Sequence, residues 1–383
     1  MKIGINASFL RKPQTGIGQV TLNFLKTLAK KGGTNHEFIL YLEEDLPKDI
    51  NLPNNFKVRV FLPAWKRDDL IRKIWWEKCL LPKKIKEDDC EVFLSLYQCP
   101  TVLGGKIKHI MLVHDLIPKL FPEYLNNFRK KIYQKLTERA IKKADRIIAV
   151  SKRTEKDLIK CLGIDGEKIA VNYIDTDEIY KKEIAPEESS RVLKKYHLKP
   201  GYIMGGGGLE MRKNTEGVIR AYHYIWEQNK KEKFIDELPK LVIWGKLLPQ
   251  LAPLVTDAEK LLKELNLTKQ VRLLDAVPQK DLPALYKNCS VFIYPSFYEG
   301  FGLPVLEAMS QGKPVITAKT SSLPEVGLDS VLYCDPDDIR EMAKMLKKVL
   351  LDRNLRETLS QKALARSKEF SWERFVQKTL NLI

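Results

Sequence analysis

Val291-Phe292-Ile293-Tyr294-Pro295-Ser296-Phe297-Tyr298-Glu299-Gly300-Phe301-Gly302-Leu303-Pro304-Val305-Leu306-Glu307-Ala308-Met309 is the most informative segment of the chain. Its opening apolar run has the length and bulk of a strand buried on both faces of a parallel sheet. A glycine-bearing loop follows, and Pro304 stands where the first turn of a helix belongs, because its fixed φ suits that position. Gly312 and Pro314 end the helix. A strand running through a glycine loop into a helix aims backbone N–H groups and the positive helix end at an anion. Glu299 and Glu307 flank that site. A carboxylate beside a phosphate is unfavourable unless it binds hydroxyls, so both are expected to grip sugar or ribose OH groups. The plain alternative for Glu307 is an exposed helix position.

A second segment has the same form. Gly205-Gly206-Gly207-Gly208-Leu209-Glu210-Met211-Arg212-Lys213-Asn214 follows a strand at Tyr202–Gly205 and precedes a helix containing Val218, Ile219 and Tyr222. Glycines let backbone approach a ligand closely. Arg212 offers a planar fork and Lys213 a point charge, and together they suit a diphosphate. An Arg-Lys pair elsewhere would be read as surface charge.

Strand-like runs on either side of these segments organise the chain. Lys2–Ala7, Glu37–Leu42, Lys57–Phe61, Val92–Ser95, Ile110–His114 and Arg146–Ser151 alternate with helical patterns, as do Tyr202–Gly205, Leu241–Gly245, Val271–Leu274, Ser290–Tyr294, Pro314–Thr317 and Val331–Cys334. Such alternation predicts parallel sheets with crossover helices. At about 100–200 residues per domain, 383 residues predict two domains. The expected divisions are a first α/β domain over 1–180, a linker with a helix over 181–199, and a second α/β domain over 200–370. A terminal helix over about 371–383, with Ser371 as its N-cap, is expected to pack back on the first domain.

Composition narrows the function classes. Hydrophobic residues at 44% and charged residues at 30% exclude disordered and fibrous chains. No apolar run reaches the ~18 residues of a membrane span, and the opening MKIGINASFL is too short in its apolar part for a signal peptide. A soluble, cytoplasmic protein is the expectation. Six cysteines (Cys79, Cys90, Cys99, Cys161, Cys289, Cys334) without a close pair read as reduced thiols, and five scattered histidines hold no metal-ligand spacing. No metal site is predicted. The excess of 66 basic over 49 acidic residues gives +17. Residues 101–160 hold 15 basic against 6 acidic, and much of that charge lies in 129–160. Such a balance favours an anionic partner, be it nucleic acid, anionic lipid or a phosphorylated small molecule, while a solvated helix face is the plain alternative.

The pair Gly-Gly-Leu-Glu-x-Arg-Lys-Asn and Tyr-Glu-Gly-Phe-Gly-Leu-Pro-x-Leu-Glu-Ala resembles the donor-binding half of retaining GT-B glycosyltransferases of family 4. The likeness extends to Val277-Pro278 through Tyr286 on the base side and to Leu241–Lys246. In the first half it takes in Thr15-Gly16-Ile17-Gly18, His114-Asp115-Leu116, Val150-Ser151 and Leu158, and so nearly the whole chain. It implies two Rossmann-like α/β domains whose parallel sheets face across a cleft, with a nucleotide sugar as donor substrate and no required cofactor. By the same resemblance Arg212 and Lys213 hold the donor diphosphate and stabilise the leaving group. Glu299 binds hydroxyls of the transferred sugar, with the amides of Phe301, Gly302 and Leu303 around sugar and phosphate. Glu307 binds the ribose, Gly207 and Gly208 let backbone approach the donor, and Val277 lies beside the base. Gly16 and Gly18 belong to a loop closing over the phosphates, and His114 contacts the transferred sugar near the reacting carbon.

The resemblance is nearest to mannosyltransferases of bacterial surface-polysaccharide assembly. It implies retention of configuration, a glycan or lipid-linked glycan acceptor, and GDP-mannose ahead of UDP-glucose or UDP-N-acetylglucosamine. Cations in place of a divalent ion suit metal-independent transfer. Asp275 replaces a frequent Gly in the base-side loop, Met211 replaces a frequent Pro, and residues 170–176 look shortened beside the usual interdomain turn. The stretch Trp65–Lys86 mixes three tryptophans with eight Lys/Arg, and Leu70, Ile74, Trp75 and Leu81 are expected to form an apolar stripe. That pattern suits an anionic membrane surface at the inner face of the cell membrane; packing of the tryptophans in the first domain is the alternative. Rival functions are a sugar-nucleotide epimerase, a phosphorylase and a polyanion-binding protein. No zinc finger, RRM-like signature or basic zipper supports nucleic-acid binding, and no G-x-G-x-x-G follows the first strand as a nicotinamide dehydrogenase requires.

Overall fold

Short, mostly apolar runs form 13 strands among the described residues, and every strand pair is parallel. The computed structural model describes residues 1–31, 35–47, 50–63 and 69–383. Two compact units result: Met1–Asp175 with Ser371–Ile383, and Thr176–Phe370.

The first unit holds a 7-stranded sheet built from β1 (Lys2–Asn6), β2 (Glu37–Leu42), β3 (Phe56–Val60), β4 (Val92–Ser95), β5 (Lys108–Val113), β6 (Arg146–Ala149) and β7 (Ile169–Val171), in the order β3-β2-β1-β4-β5-β6-β7. The second holds a 6-stranded sheet of β8 (Ile203–Gly206), β9 (Leu241–Trp244), β10 (Val271–Leu274), β11 (Val291–Tyr294), β12 (Val315–Ala318) and β13 (Leu332–Cys334), in the order β10-β9-β8-β11-β12-β13. Strand order therefore reverses between β1 and β4 in one sheet and between β8 and β11 in the other. At such a reversal the loops leaving the carboxyl ends of the two strands diverge to opposite faces and open a crevice where ligands bind. Register there is fixed by Gly4↔Phe93 and Met204↔Phe292.

Burial explains why these runs are readable. Ile3 and Ile5 of β1 and Val291, Phe292 and Ile293 of β11 are wholly buried. Strand β7 runs into the stretch that looks like a shortened turn, with Ala170 and Val171 inside it. The segment 181–199 holds a helix, Pro186–Lys195, within the second unit; its Lys195 pairs with Asp281 at 2.5 Å. The last helix, Trp372–Leu380, starts at Ser371, whose hydroxyl accepts from the Arg374 amide. It packs on the helix Gly16–Lys31, with Phe24 and Phe375 edge to face at 6.1 Å. Asn172, in the apparently shortened turn, donates to the Phe375 carbonyl at 2.9 Å.

The apolar stripe expected over Trp65–Lys86 is corrected. Trp65 lies outside the described residues. Helix Asp69–Trp75 runs into a π-turn, Trp76–Leu80, before continuing as Leu81–Glu87. The wider turn adds a residue and rotates the continuing helix by about 100° per residue, so the 3.6-residue pattern breaks there. Leu81 and Trp76 are fully buried, Trp76 donating to the Phe61 carbonyl at 2.8 Å, whereas Trp75 is 46% exposed. No helix among the described residues is long and apolar enough to cross a membrane. All six cysteines are unpaired thiols.

Candidate functional site

In the second unit both glycine segments leave the sheet at its reversal, one after β8 and one after β11. Gly207 (φ +102°) and Gly208 (φ +117°) hold left-handed backbone. At Gly208 a Cβ would come within 2.3 Å of the Glu210 carboxylate and 2.7 Å of Lys213 Nζ, so a side chain there would displace both charges. Gly207 faces the Pro304 ring, which brings the two segments against each other.

Arg212 and Glu299 meet directly. Arg212 Nη1 donates to Glu299 Oε1 at 2.7 Å and to the Tyr298 carbonyl at 3.0 Å, and both side chains are 12% exposed. The same Oε1 accepts from the Tyr294 hydroxyl at 2.6 Å and from Ser296 Oγ at 3.1 Å. Three donors on one oxygen fix the carboxylate. The backbone is held as firmly: the Glu299 amide donates to Ser321 Oγ at 2.8 Å, and Ser321 and Ser322 donate to its carbonyl at 3.0 and 2.9 Å. The Arg212 carbonyl accepts from the Phe297 amide.

Lys213 donates to the Gly207 carbonyl and lies 3.4 Å from Glu210. Burial alone would raise the Glu210 carboxyl, but Lys213 and Arg212 beside it hold it below the usual carboxylate range. The cluster thus contains two cations and two carboxylates. It therefore carries no excess of positive charge, and the start of the helix Leu303–Ser310 is the further positive end beside it. Asn214 completes the motif. Its φ of +57° lets it cap the helix Thr215–Glu232 through Oδ1 to the Gly217 amide, while Nδ2 donates to the Pro336 carbonyl at 2.7 Å.

Gly302 (φ +115°) precedes the helix Leu303–Ser310, with Phe301 buried behind it against Phe370. Glu307 is not an exposed helix residue: it is 3% exposed, and its Oε2 accepts from the Tyr286 hydroxyl at 3.0 Å. Burial raises its carboxyl to about 7, against the opposing effect of the Tyr286 and Tyr180 hydroxyls. Val277 is half-buried on the loop after β10. Two residues earlier, Asp275 Oδ1 accepts from the Leu247 amide at 3.0 Å and ties that loop to the one after β9.

His114, Gly16 and Gly18 belong to the first unit. His114 is 8% exposed and follows β5. Its Nε2 lies 2.9 Å from the Leu96 carbonyl, which can only accept, so Nε2 carries the proton and Nδ1 is the acceptor. Burial pushes its pKa down to about 4, and the ring is neutral at pH 7. Gly18 is buried where a Cβ would meet the Lys12 carbonyl at 1.9 Å, so its bareness lets the preceding loop fold onto the helix. Gly16 opens that helix and is exposed.

The structure therefore brings Arg212, Lys213, Glu299, Gly207 and Gly208 together, with Phe301, Gly302 and Leu303 at the adjoining helix start. Glu307 sits deeper beside Tyr286. Sequence reasoning missed the residues that hold these groups in place, namely Tyr294, Ser296, Ser321, Ser322 and Asn214. Among the described residues no three or more His, Cys, Asp or Glu are grouped to hold a metal ion.

Residues 14–178 match the family described as Glycosyltransferase Family 4, and residues 189–366 match Glycosyl transferases group 1. The chain is 29% identical over 392 residues to the O-antigen chain mannosyltransferase B of Escherichia coli, covering 100% of this chain and 99% of that one. Among solved structures, the sucrose-phosphate synthase of Thermosynechococcus elongatus aligns with a TM-score of 0.76 at 17% identity, covering 100% of this chain and 98% of that one. Anabaena Alr3699/HepE in complex with UDP and glucose aligns with a TM-score of 0.72 at 19% identity, covering 100% and 99%. Two parallel-sheet units, a glycine-loop cluster at the strand ends of the second and family matches over both halves lead to one conclusion: the chain belongs to the family 4 glycosyltransferases and has the GT-B fold.

Proposed function

We propose that the protein transfers a hexose, mannose first, from a nucleotide-diphospho-sugar to a glycan or lipid-linked glycan of a surface polysaccharide, with retention of configuration and without a metal. The observation behind this reading is the Arg212–Glu299–Lys213 cluster at the β8/β11 reversal. The whole-length similarity to a mannosyltransferase points to mannose and, with it, GDP-mannose. In this reading Arg212 and Lys213 turn to the diphosphate and offset the charge that builds on the departing phosphate. Glu299, fixed through Oε1, presents its other oxygen to sugar hydroxyls. Glu307 takes the ribose, and Val277 borders the base. The amides around Gly302 complete the phosphate site. The first unit provides the acceptor side, where the neutral His114 ring acts as a hydrogen-bond acceptor toward the transferred sugar and the Gly16–Gly18 loop closes.

Transfer assays with GDP-mannose, UDP-glucose and UDP-N-acetylglucosamine in excess EDTA test this reading, with the product anomer read by NMR. The expected result is an α-linked product from GDP-mannose alone, at a rate that EDTA leaves unchanged. A β-linked product or a dead reaction in EDTA contradicts retention or metal independence respectively.

We further propose that the acceptor is met at an anionic membrane surface. Phe128 is 75% exposed at the start of the helix Phe128–Lys143, which exposes Arg129, Lys131, Lys135, Arg139, Lys142 and Lys143. An apolar wedge among cations suits that interface. Sedimentation with anionic vesicles should exceed that with neutral ones and fall in Phe128→Ser; equal sedimentation with both contradicts it.

A further inference from the structure

The reversal between β1 and β4 opens a second crevice, in the first unit, and it contains a built pocket of about 230 Å³. At ~30 Å³ per water this is room for roughly eight waters, the scale of one sugar ring. Phe9 follows β1, Tyr97 and Gln98 follow β4, and Asp115 follows β5; all four line the pocket. Gln98 joins the pocket to His114, accepting from the His114 amide at 3.1 Å and donating to the Asp115 carbonyl at 3.2 Å.

Lys73 is the charged group at the centre. Its ammonium lies 4.6 Å from the Phe9 ring centroid, 5.2 Å from Tyr97 and 5.1 Å from Tyr133, an aromatic cage. Glu77 lies 3.7 Å away and is wholly buried on the π-turn that points it inward. Glu77 Oε1 accepts from the Tyr97 hydroxyl at 2.5 Å, while Oε2 has no hydrogen-bond partner. Burial raises the Glu77 carboxyl, with Lys73 and the Tyr97 and Tyr133 hydroxyls opposing that shift. Thr137, on a 3% exposed side chain of the wall, lies beside the Tyr133 hydroxyl.

We infer that this pocket is a subsite for one uncharged pyranose of the acceptor, stacked on Phe9 and Tyr133 and read through its hydroxyls by Lys73. Aromatic faces meet the apolar C–H face of a sugar ring. The ammonium donates to its hydroxyls, and Thr137 offers a further hydroxyl contact. Glu77 stands against Lys73, and Asp115 and Lys130 add one charge of each sign to the wall, so a sugar bearing phosphate or carboxylate finds no net positive charge there. The inference rests on the transferase reading and adds to it the class of acceptor residue.

Three measurements on the full chain test it: nucleotide thermal shift, saturation-transfer NMR with methyl α-mannoside or mannose 6-phosphate, and the acceptor KM. Phe9→Ala removes a stacking face, and Leu125→Trp fills the pocket without touching the Lys73–Glu77 pair. Both should raise the acceptor KM by about tenfold or more while the nucleotide shift stays at the wild-type value. Methyl α-mannoside should show saturation transfer that Leu125→Trp abolishes, and mannose 6-phosphate should show none. An acceptor KM within about twofold of wild type in both variants overturns the inference, as does stronger transfer to mannose 6-phosphate. If the wild-type protein shows no nucleotide shift, the transferase reading fails instead, and the NMR result stands on its own.

Discussion

Arg212 and Glu299 were each expected to face a ligand, yet in the structure they face each other, with Tyr294 and Ser296 on the same carboxylate oxygen. Removing the carboxylate charge leaves a mostly buried guanidinium without its counter-ion, so Glu299→Gln, which keeps the shape and an acceptor, is the informative variant. It should fold, still bind nucleotide, and lose about 10²–10³ in kcat, the size of a lost electrostatic contact to the reacting sugar. Glu210→Gln should act on binding instead. It releases Lys213 from a carboxylate 3.4 Å away, and GDP should bind roughly tenfold tighter. Calorimetric titration of both variants checks this pair; tighter GDP binding by Glu299→Gln with weaker binding by Glu210→Gln would contradict the assignment.

At the scale of elements, the short helix Leu303–Ser310 carries two groups of the candidate site, its N-terminus beside the glycine loop and Glu307 in its second turn. Glu307 has an ordinary value of 4.5, and burial raises it to about 7 in the folded protein. The folded state therefore keeps a proton that the unfolded chain gives up between those values. Stability from this group is complete below about pH 4.5 and falls as pH rises, levelling above 7, by up to about 3 kcal/mol. Urea unfolding of wild type and Glu307→Gln at pH 5 and pH 8 measures it. The variant should gain on wild type by about that amount between the two pH values, and parallel behaviour would contradict it. Strands such as β2 and β4 lie at the boundaries their sequence predicts, because strands buried on both faces read as unbroken apolar runs. The π-turn at Trp76–Leu80 was not legible: Glu77 sits in a strongly basic stretch and looks like a surface residue, and only the fold shows it buried. The same holds for Ser321 and Ser322. They fix Glu299 from 22 and 23 residues away, a pairing no local pattern encodes.

For the whole molecule, the chain is two switch-point sheets with one crevice at each reversal of strand order. The second unit's crevice was largely visible in sequence, since its glycines, cations and carboxylates fall within two short motifs. The first unit's was not, because its pocket is assembled from Phe9, Lys73, Tyr97 and Tyr133 on four separate elements. The functional reading depends above all on the β8/β11 crevice binding a nucleoside diphosphate through Arg212 and Lys213. Thermal unfolding with GDP, UDP and ADP in turn, each with magnesium and with EDTA, is its sharpest test. A ligand at 100 times its Kd adds about 2.7 kcal/mol, a rise of roughly 5–10 °C for a unit of this size. The expected result is that rise with GDP, equal in magnesium and in EDTA, and its loss in Arg212→Ala. No rise with any of the three nucleotides in folded protein would contradict it.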